Sequence, residues 1–256
     1  MPIAEPAAQG FEAAADLYEA RRPSYPDAAL TWLASELEIE ESSRLLDVGA
    51  GTGKLTRQLV GRSPRVIGLE PVRAMCAQFC LAVDVPIAQA VAEALPVRTG
   101  SVDGVLVGQA FHWFDFETAL AEIHRVLRPG GGLGLIWNMR DERHDWVARL
   151  GDIRRRYGEI RYDSGAWRGP VESSELFGPL LVQRFASQHV LAPEGVVELM
   201  ASTSFIAALP MEENRAVRDE ISQLLGCHPE TRGERRLVIP YRTDVYWTAT
   251  ASTGTE

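Results

Sequence analysis

Asp47 is followed at two-residue spacing by three glycines: Gly49, Gly51 and Gly53. The apolar residues before Asp47 are typical of a buried parallel strand, and a helical pattern begins at Lys54. Glycines let the backbone turn sharply and let a ligand approach closely, and the start of a helix leaves backbone N–H groups free. A carboxylate at the end of the strand suits a ligand that carries an ammonium group or another hydrogen-bond donor.

The spacing excludes two common nucleotide-binding motifs. A dinucleotide-binding G-x-G-x-x-G pattern that starts at Gly49 would need glycine at the position of Lys54. A P-loop that ends in Gly53-Lys54 would need glycine in place of Val48, and serine or threonine in place of Leu55. The remaining pattern is D-x-G-x-G-x-G, in which the acidic residue is poorly placed for a pyrophosphate.

A second carboxylate, Glu70, ends the apolar run of residues 66–69 and lies 17 residues beyond Gly53. An acidic residue at about this distance, at the tip of the second strand, commonly accepts hydrogen bonds from ribose hydroxyls. Together the two patterns predict a ligand with an adenosine-like ribose and no diphosphate.

These residues resemble the motifs of class I S-adenosylmethionine-dependent methyltransferases. LLDVGAGTGKLT, at residues 45–56, is similar to the first motif, and VIGLEP, at residues 66–71, is similar to the second. Residues 90–114 resemble the adenine loop with the fourth strand, and residues 123–138 resemble the following helix, turn and fifth strand. The matches therefore occur in the family's order over about residues 42–140.

The resemblance implies an α/β fold: a doubly wound, mostly parallel, seven-stranded Rossmann-like sheet with an antiparallel edge hairpin and a helical cap. We expect one compact domain with an N-terminal helical lid (1–40), an S-adenosylmethionine-binding core (41–138), a helical cap insertion (139–178) and the rest of the sheet with helices (179–256). Residues 128–132, RPGGG, predict a helix stop and a turn.

Hydrophobic periodicity predicts the individual elements. Strands are expected near residues 44–48, 65–69, 86–90, 103–108, 132–137, 181–191 and 235–249. Helices are expected near residues 11–20, 26–38, 53–61, 72–82, 116–127, 193–202 and 210–225.

The resemblance also implies the cofactor, S-adenosyl-L-methionine, with S-adenosyl-L-homocysteine as the product. Asp47 is expected to approach the methionine amino group, and Glu70 to hold the ribose hydroxyls. The remaining residues expected to bind the cofactor are Gly49, Ala50, Gly51, Gly53, Pro71, Ala92, Glu93 and Gln109. The chain departs from the family at Val91, where many relatives carry an aspartate.

The methyl acceptor depends on whether the reaction needs a base. A carboxylate is already ionised at neutral pH, whereas a phenol or a protonated amine must first lose a proton. His112 is the only plausible base near the fourth strand. The candidate residues for binding the acceptor are Tyr18, Arg22, Tyr25, His112, Trp113, Asn138, Arg140 and Trp167.

Three functions remain open from the sequence. The first is methyl esterification of a small-molecule carboxylate, because arginines lie near the expected pocket and because residues 18–26 and 110–115 resemble the trans-aconitate type of carboxyl methyltransferase. The second is O-, N- or C-methylation of a phenol, amine or carbon acceptor in secondary metabolism, with His112 as the base. The third is a protein that binds S-adenosylmethionine without turnover.

Composition limits the partners. The 256 residues include 26 basic and 35 acidic side chains, a net charge of −9 that disfavours a nucleic-acid substrate. Three cysteines form no disulfide framework, and no ligand-spaced cluster predicts a metal. No signal peptide or membrane span is evident. We therefore expect a cytoplasmic monomer or homodimer that acts on a small molecule and contacts neither nucleic acid nor membrane.

Overall fold

The computed structural model describes residues 22–158 and 165–251, and its centre is a seven-stranded sheet. The strands are β1 Leu45–Val48, β2 Val66–Leu69, β3 Ile87–Ala88, β4 Val102–Gly108, β5 Leu127–Arg140, β6 Leu181–Leu191 and β7 Leu237–Ala249. Their order across the sheet is β3-β2-β1-β4-β5-β7-β6. β1 to β5 pair in parallel, whereas β7 is antiparallel to both β5 and β6. The predicted Rossmann-like sheet with an antiparallel edge is confirmed.

Helices cover both faces of the sheet. They are α1 Asp27–Glu36, α2 Lys54–Val60, α3 Arg73–Ala82, α4 Phe116–Val126, α5 Asp145–Arg155, α6 Arg168–Glu172, α7 Pro193–Ala201, α8 Ser204–Ala207 and α9 Met211–Cys227, with a 3-10 turn at Phe111–Trp113. In the described part of the chain, every helix is too short or too polar to cross a membrane. The predicted helix at residues 11–20 lies outside the described residues.

The sheet residues alternate between two apolar clusters, as the two-residue period of a strand requires. Leu45 of β1 packs with α1 and α2 on one face, and Leu46 packs with α4 on the other face. Because both faces are covered, all four residues of β1 are buried. β1 lies at the point where the sheet order reverses, and an open α/β sheet forms its ligand crevice at the carboxyl ends of the strands there.

β5 is much longer than the predicted strand at residues 132–137. Helix α4 ends at Val126, as expected, but β5 begins directly at Leu127, which pairs with Val102. Pairing with β4 resumes only at Gly132, so the RPGGG segment is an irregularity within the strand rather than a turn before it. At its other end, β5 continues to Arg140 because β7 pairs with it over its whole second half.

A third apolar cluster forms a cap from helices of two separate segments. Buried residues of α5, such as Leu150, pack with residues of α7 and α9, such as Leu199 and Ile221, and with the start of β7. The predicted cap insertion at residues 139–178 therefore does not pack as one unit. Its first part belongs to this cluster, whereas Trp167 and Val171 pack in the main core of the sheet.

Trp167 is a core residue in this arrangement, with a relative exposure of 2%. Its ring stacks on Trp137 at a centroid distance of 4.6 Å and meets the edge of Tyr246 at 4.9 Å. A side chain enclosed in this way contributes to stability through apolar burial and aromatic packing.

We predict that Trp167→Ala lowers the free energy of unfolding by about 3–5 kcal/mol, because it leaves a cavity among packed rings. Trp113 borders a cavity at the carboxyl ends of the strands and is only partly buried, so it is the matched control, and Trp113→Ala should cost less stability. Urea unfolding of both variants checks this. Equal losses of unfolding free energy would contradict the core position of Trp167.

Candidate functional site

A cavity of about 610 Å³ opens at the carboxyl ends of β1, β4 and β5, beneath the cap. This volume lies within the range of about 300–1,000 Å³ that is typical of small-molecule sites. The predicted site residues that line it are Arg22, Tyr25, Asp47, Gly49, Ala50, Gly51, Gln109, His112, Trp113, Asn138 and Arg140. Residues that are up to 118 positions apart in the sequence thus meet at the edge of the sheet where the sequence motifs predicted a ligand.

Asp47 is the most deeply buried acidic residue of the cavity, with a relative exposure of 1%. Its Oδ2 atom accepts a hydrogen bond of 2.5 Å from the hydroxyl of Thr56, in the first turns of α2. Its Oδ1 atom is buried and has no hydrogen-bond partner among the described residues. The carboxylate is therefore held in place by one oxygen and offers the other to a ligand.

Burial raises the pKa of Asp47 from 3.8 to about 7. The hydrogen bonds from Thr56 oppose this rise, and the nearby charge of Glu70 adds a smaller contribution to it. A cation placed beside the open oxygen would favour the ionised form and reverse the rise. The site is thus suited to an ammonium group.

The turn after β1 has a backbone that excludes most side chains. Gly49 has a φ of +72°, and a Cβ at this position would lie 2.6 Å from the Cβ of Ala110. A Cβ at Gly51 would instead face open space. Glycine is therefore required at position 49 by close packing, whereas at Gly51 the backbone borders the cavity.

Glu70 supports this turn from the end of β2. Its two carboxylate oxygens accept hydrogen bonds of 2.9 Å, one from the N–H of Gly51 and one from the N–H of Val72. Burial raises the pKa of Glu70, and the two hydrogen bonds oppose the rise. Glu70 lies outside the lining of the 610 Å³ cavity, although each oxygen retains a lone pair that could accept another donor.

The other predicted residues that do not line this cavity have different surroundings. Ala92 is buried, and its N–H forms no hydrogen bond within the described segments. The carboxylate of Glu93 accepts a hydrogen bond of 2.8 Å from the N–H of Asp115. Gly53, Pro71 and Trp167 also lie outside the cavity lining, and Tyr18 falls outside the described residues.

Gln109 follows β4 and has a φ of +58°, which is uncommon for a residue other than glycine. Its N–H donates to the carbonyl of Ile136 at 2.9 Å, and its side-chain Nε2 donates to the carbonyl of Asn138 at 3.2 Å. These bonds to β5 hold the left-handed backbone in place. Strained residues of this kind are concentrated at functional sites.

The imidazole of His112 is buried beside the cavity, and its Nδ1 atom lies 3.4 Å from the indole Nε1 of Trp137. Because an indole nitrogen can only donate, Nδ1 is the acceptor, and a neutral imidazole then carries its proton on Nε2. Sequence reasoning identified His112 but missed Trp137, which immediately precedes the predicted acceptor residue Asn138.

The N-terminal segment that carries Arg22 and Tyr25 is fastened to the rim of the cavity. Lys54 donates to the carbonyl of Arg22 at 2.8 Å, and the side chain of Gln58 exchanges two hydrogen bonds with the backbone of Tyr25. The amide of Asn138 donates to the carbonyl of Pro23 at 3.3 Å. The described start of the chain therefore bridges α2 and β5 over the cavity.

Sequence reasoning missed most of the cavity residues that come from the cap and from β7. They are Arg143, Arg154, Arg155, Thr203, Phe205, Tyr241 and Arg242, together with Leu199, Asp141 and Glu142. Some of these residues, such as Asp141 and Arg242, lie more than a hundred positions apart in the sequence. Only the packing of the cap brings them to one cavity. No local motif marks them.

Comparison with known proteins identifies the family. The sequence profile of a family described as "Methyltransferase domain" matches residues 46–135. A protein of Mycobacterium tuberculosis, named as an uncharacterized methyltransferase, is 39% identical over 234 residues, which cover 91% of this chain and 92% of that protein. The chain is a class I S-adenosylmethionine-dependent methyltransferase.

Two further proteins extend the similarity over the cap of the methyltransferase. An uncharacterized methyltransferase-like protein of Schizosaccharomyces pombe is 34% identical over 232 residues, covering 88% of this chain and 90% of that one. The solved structure of a proposed type II methyltransferase from Anaeromyxobacter dehalogenans has a TM-score of 0.67 at 25% identity, with 90% of this chain and 98% of that chain covered. The similarity therefore includes elements beyond residue 135, where the domain profile ends.

The pKa of Asp47 leads to a test of stability. The folded-state value of about 7 lies above the ordinary value of 3.8, so folding favours the protonated form. This contribution to stability is complete below about pH 4 and is lost as the pH rises through about 7. We therefore expect Asp47→Asn to be more stable than the parent at about pH 8, by at most about 4 kcal/mol, with the gain vanishing near pH 4.

Urea unfolding at the two pH values, without cofactor, measures this difference. Asp219→Asn is the matched control, because Asp219 is exposed on α9 and its substitution should change stability by less than about 0.5 kcal/mol at either pH. A loss of stability in Asp47→Asn at pH 8 would show that the buried carboxylate is not costly to the fold.

Proposed function

We propose that this methyltransferase binds S-adenosylmethionine in the cavity and transfers its methyl group to the carboxylate of a small molecule. The observation that carries the choice of acceptor is the hydrogen bond from Trp137 to Nδ1 of His112. Within the described residues, His112 is the only histidine that lines the cavity. Because its Nδ1 accepts this hydrogen bond, the neutral imidazole carries its N–H at Nε2. Such an imidazole orients an anion, whereas a general base needs an unprotonated Nε2.

The geometry of the glycine turn supports the cofactor. The open oxygen of Asp47 suits the ammonium of the methionine part, and the backbone at Gly51 leaves room for the ligand. Glu70, directly behind Gly51, is assigned to the ribose hydroxyls, and the unpaired N–H of Ala92 to the adenine. These roles follow the family's motifs and agree with the polar groups that the fold leaves available.

The charge of the cavity supports an anionic acceptor. Although the chain has a net charge of −9, seven basic and three acidic side chains line the cavity in the described residues. The basic residues are Arg22, Lys54, Arg140, Arg143, Arg154, Arg155 and Arg242, and the acidic residues are Asp47, Asp141 and Glu142. A low-dielectric cavity lined mainly by one sign of charge attracts ligands of the opposite sign.

Carboxylate methylation needs little chemistry from the protein. One carboxylate oxygen attacks the methyl carbon in line with the sulfur, the new C–O bond forms as the C–S bond breaks, and the electron pair stays on the sulfur. No proton has to be removed, because the acceptor is already ionised. Holding the two reactants in line can contribute about 7–11 kcal/mol in well-oriented systems.

Methylation of a phenol, amine or carbon acceptor is the second candidate, with His112 as the base. A base at Nε2 requires that the neutral imidazole carries its proton on Nδ1. The indole N–H of Trp137 already points to Nδ1, and this contact opposes that proton position. A protein that binds S-adenosylmethionine without turnover is the third candidate. Two features favour an enzyme over this alternative. Gln109 has a strained backbone beside the cavity, and polar side chains line the part of the cavity in which we place the acceptor.

Cofactor binding is tested by Asp47→Ala and Glu70→Ala. Each variant should bind S-adenosylhomocysteine more weakly by about 1–3 kcal/mol, because a polar group of the ligand loses its partner. In the parent the affinity should also fall as the pH drops below about 7, by up to about tenfold per unit, since the ammonium needs the ionised Asp47.

Isothermal titration calorimetry with S-adenosylhomocysteine and with NAD measures these effects. Asp47→Asn should show no such pH dependence, and NAD should not bind. Parent-like affinity in both alanine variants, or tight binding of NAD, would contradict the assignment of the cofactor site.

The role of His112 is tested by the pH dependence of kcat at saturating S-adenosylmethionine, which removes the effect of Asp47 on cofactor binding. With a carboxylate acceptor, kcat of the parent should not rise between about pH 6 and 7, and His112→Ala should raise KM without changing the shape of the profile. A rise in this interval that the substitution abolishes, with a loss of about 10²–10⁴-fold, would instead establish His112 as a base.

A further inference from the structure

Strand β6 forms one edge of the sheet and is exposed along its whole length. Within the described residues it pairs with β7 alone, so the N–H and C=O groups on its outer side have no partner strand there. None of its eleven residues is buried. It is about twice as long as a usual strand, at about 37 Å for a rise of about 3.4 Å per residue. A long, open edge of this kind can pair with a strand of another chain.

The features by which natural proteins block such pairing are missing from β6. They are proline, bulges and charged side chains that face outwards. No proline occurs between Leu181 and Leu191, and all eleven residues pair with β7 in one continuous register. Arg184 is the only arginine, lysine or acidic residue of the strand, and it lies across from Asp244 of β7 and forms an ion pair with it at 3.6 Å. The one charge of the strand is therefore engaged within its own sheet.

The composition of β6 favours association with a second copy. Leu181 and Val190, near its two ends, are 47% and 39% exposed, and they are among the few large apolar side chains that the described surface exposes. Although the chain has a net charge of −9, residues 176–193 contain no acidic side chain. Two copies that approach along β6 therefore avoid the negative charge that repels them elsewhere.

The sequence of β6 also fits an antiparallel copy of itself. A twofold axis perpendicular to the sheet pairs residues that lie on the same face, so the two paired residue numbers are both odd or both even. With the axis at Ala186, the middle residue, every residue of the strand has a partner. Leu181 then lies opposite Leu191 of the second copy, and Val182 lies opposite Val190. Apolar pairs thus form at both ends of the interface.

This register also avoids a clash of like charges. Arg184 lies opposite Gln188 of the second copy, whereas an axis at Arg184 would place two arginines face to face. At the axis itself, the small side chain of Ala186 meets only its own copy. Antiparallel pairing over eleven residues adds about ten backbone hydrogen bonds, a number that is typical of a whole protein interface.

We propose that the enzyme is a homodimer in which β6 of one copy pairs in antiparallel fashion with β6 of the second copy, so that the two sheets become one. The interface is isologous, with its twofold axis at Ala186. Ala186 is in register with Arg242 of β7, and Ser187 with Tyr241, and both of these β7 residues line the cavity. The interface therefore lies one strand, about 5 Å, from a wall of the active-site cavity.

Sedimentation velocity of the parent between about 1 and 100 μM measures the oligomeric state. We expect a dimer, with twice the chain mass of 28.2 kDa. Ala186→Lys should raise the dissociation constant of the dimer at least about tenfold, because it places two like charges at the axis. Ala186 is exposed, so the fold should tolerate this change. The control is Ala77→Lys, since Ala77 is also exposed but lies on α3, beside β3 at the opposite edge of the sheet, and it should leave the dimer intact.

A disulfide tests the register. In Ala186→Cys the two introduced thiols face each other across the axis, with a Cα separation of about 4.5–5.5 Å that a disulfide can span. Gln188→Cys, on the same exposed face of β6, is the matched control, because its two Cα atoms would be about 14 Å apart. Both variants are made with serine in place of the exposed Cys80 and Cys227. After oxidation, only Ala186→Cys should give a covalent dimer on a non-reducing gel.

A parent that sediments as a monomer at all of these concentrations would overturn the proposal, and the edge would then be free or covered by residues outside the described ranges. A dimer that is unaffected by Ala186→Lys, or equal cross-linking of the two cysteine variants, would also overturn it, because the copies would then associate through another face or in another register. These measurements need neither cofactor nor acceptor, so their outcome is separate from that of the proposed function.

Discussion

The burial of one carboxylate at the end of the central strand is the constraint on which the rest of the site depends. Asp47 lies in the middle of the sheet, where both faces of β1 are covered, and its relative exposure is 1%. Its pKa of about 7 shows that the fold opposes its ionisation, and Thr56 satisfies only one of its oxygens. A residue of this kind lowers the stability of the empty protein and becomes favourable only when a cation occupies the site.

The surrounding elements can be understood as the support for this carboxylate. The glycine turn after β1 packs against Ala110 and is fixed from behind by the hydrogen bond between Gly51 and Glu70. The opposite wall is fixed by Gln109, whose left-handed backbone is held by β5. The antiparallel pairing of β7 extends β5 past the edge of the sheet, and this extension carries Asn138 and Arg140 into the cavity.

The part of the cavity around the glycine turn, where we propose that the cofactor binds, could be predicted because its residues follow strands directly in the sequence. The order of the motifs determines which carboxyl ends meet at the edge of a doubly wound sheet, so Asp47 and Gly49 were recognisable from spacing, and the resemblance to the family added Gln109. The part of the cavity beneath the cap was predicted only in part. Thr203 and Arg154 reach the cavity through the packing of the cap, and this packing depends on long-range apolar contacts that no local pattern encodes.

Trp167 illustrates the same limit. A tryptophan beside an arginine in an expected cap suggested a contact with the acceptor, yet the ring stacks on Trp137 in the main core. Folds of this class accept many substrates by changing the elements around a common core. In this chain the family profile ends at residue 135, within β5, and the elements that form the cap follow it in the sequence.

The chemical nature of the methylated product tests this account most directly. The protein is incubated with S-adenosylmethionine labelled in the methyl group and with a mixture of small carboxylic acids, phenols and amines, and the labelled product is then treated with mild base. If the acceptor is a carboxylate, the label is released as methanol, because the product is an ester. Label that stays bound through this treatment, as an ether, a methylamine or a new carbon–carbon bond, would contradict carboxylate methylation.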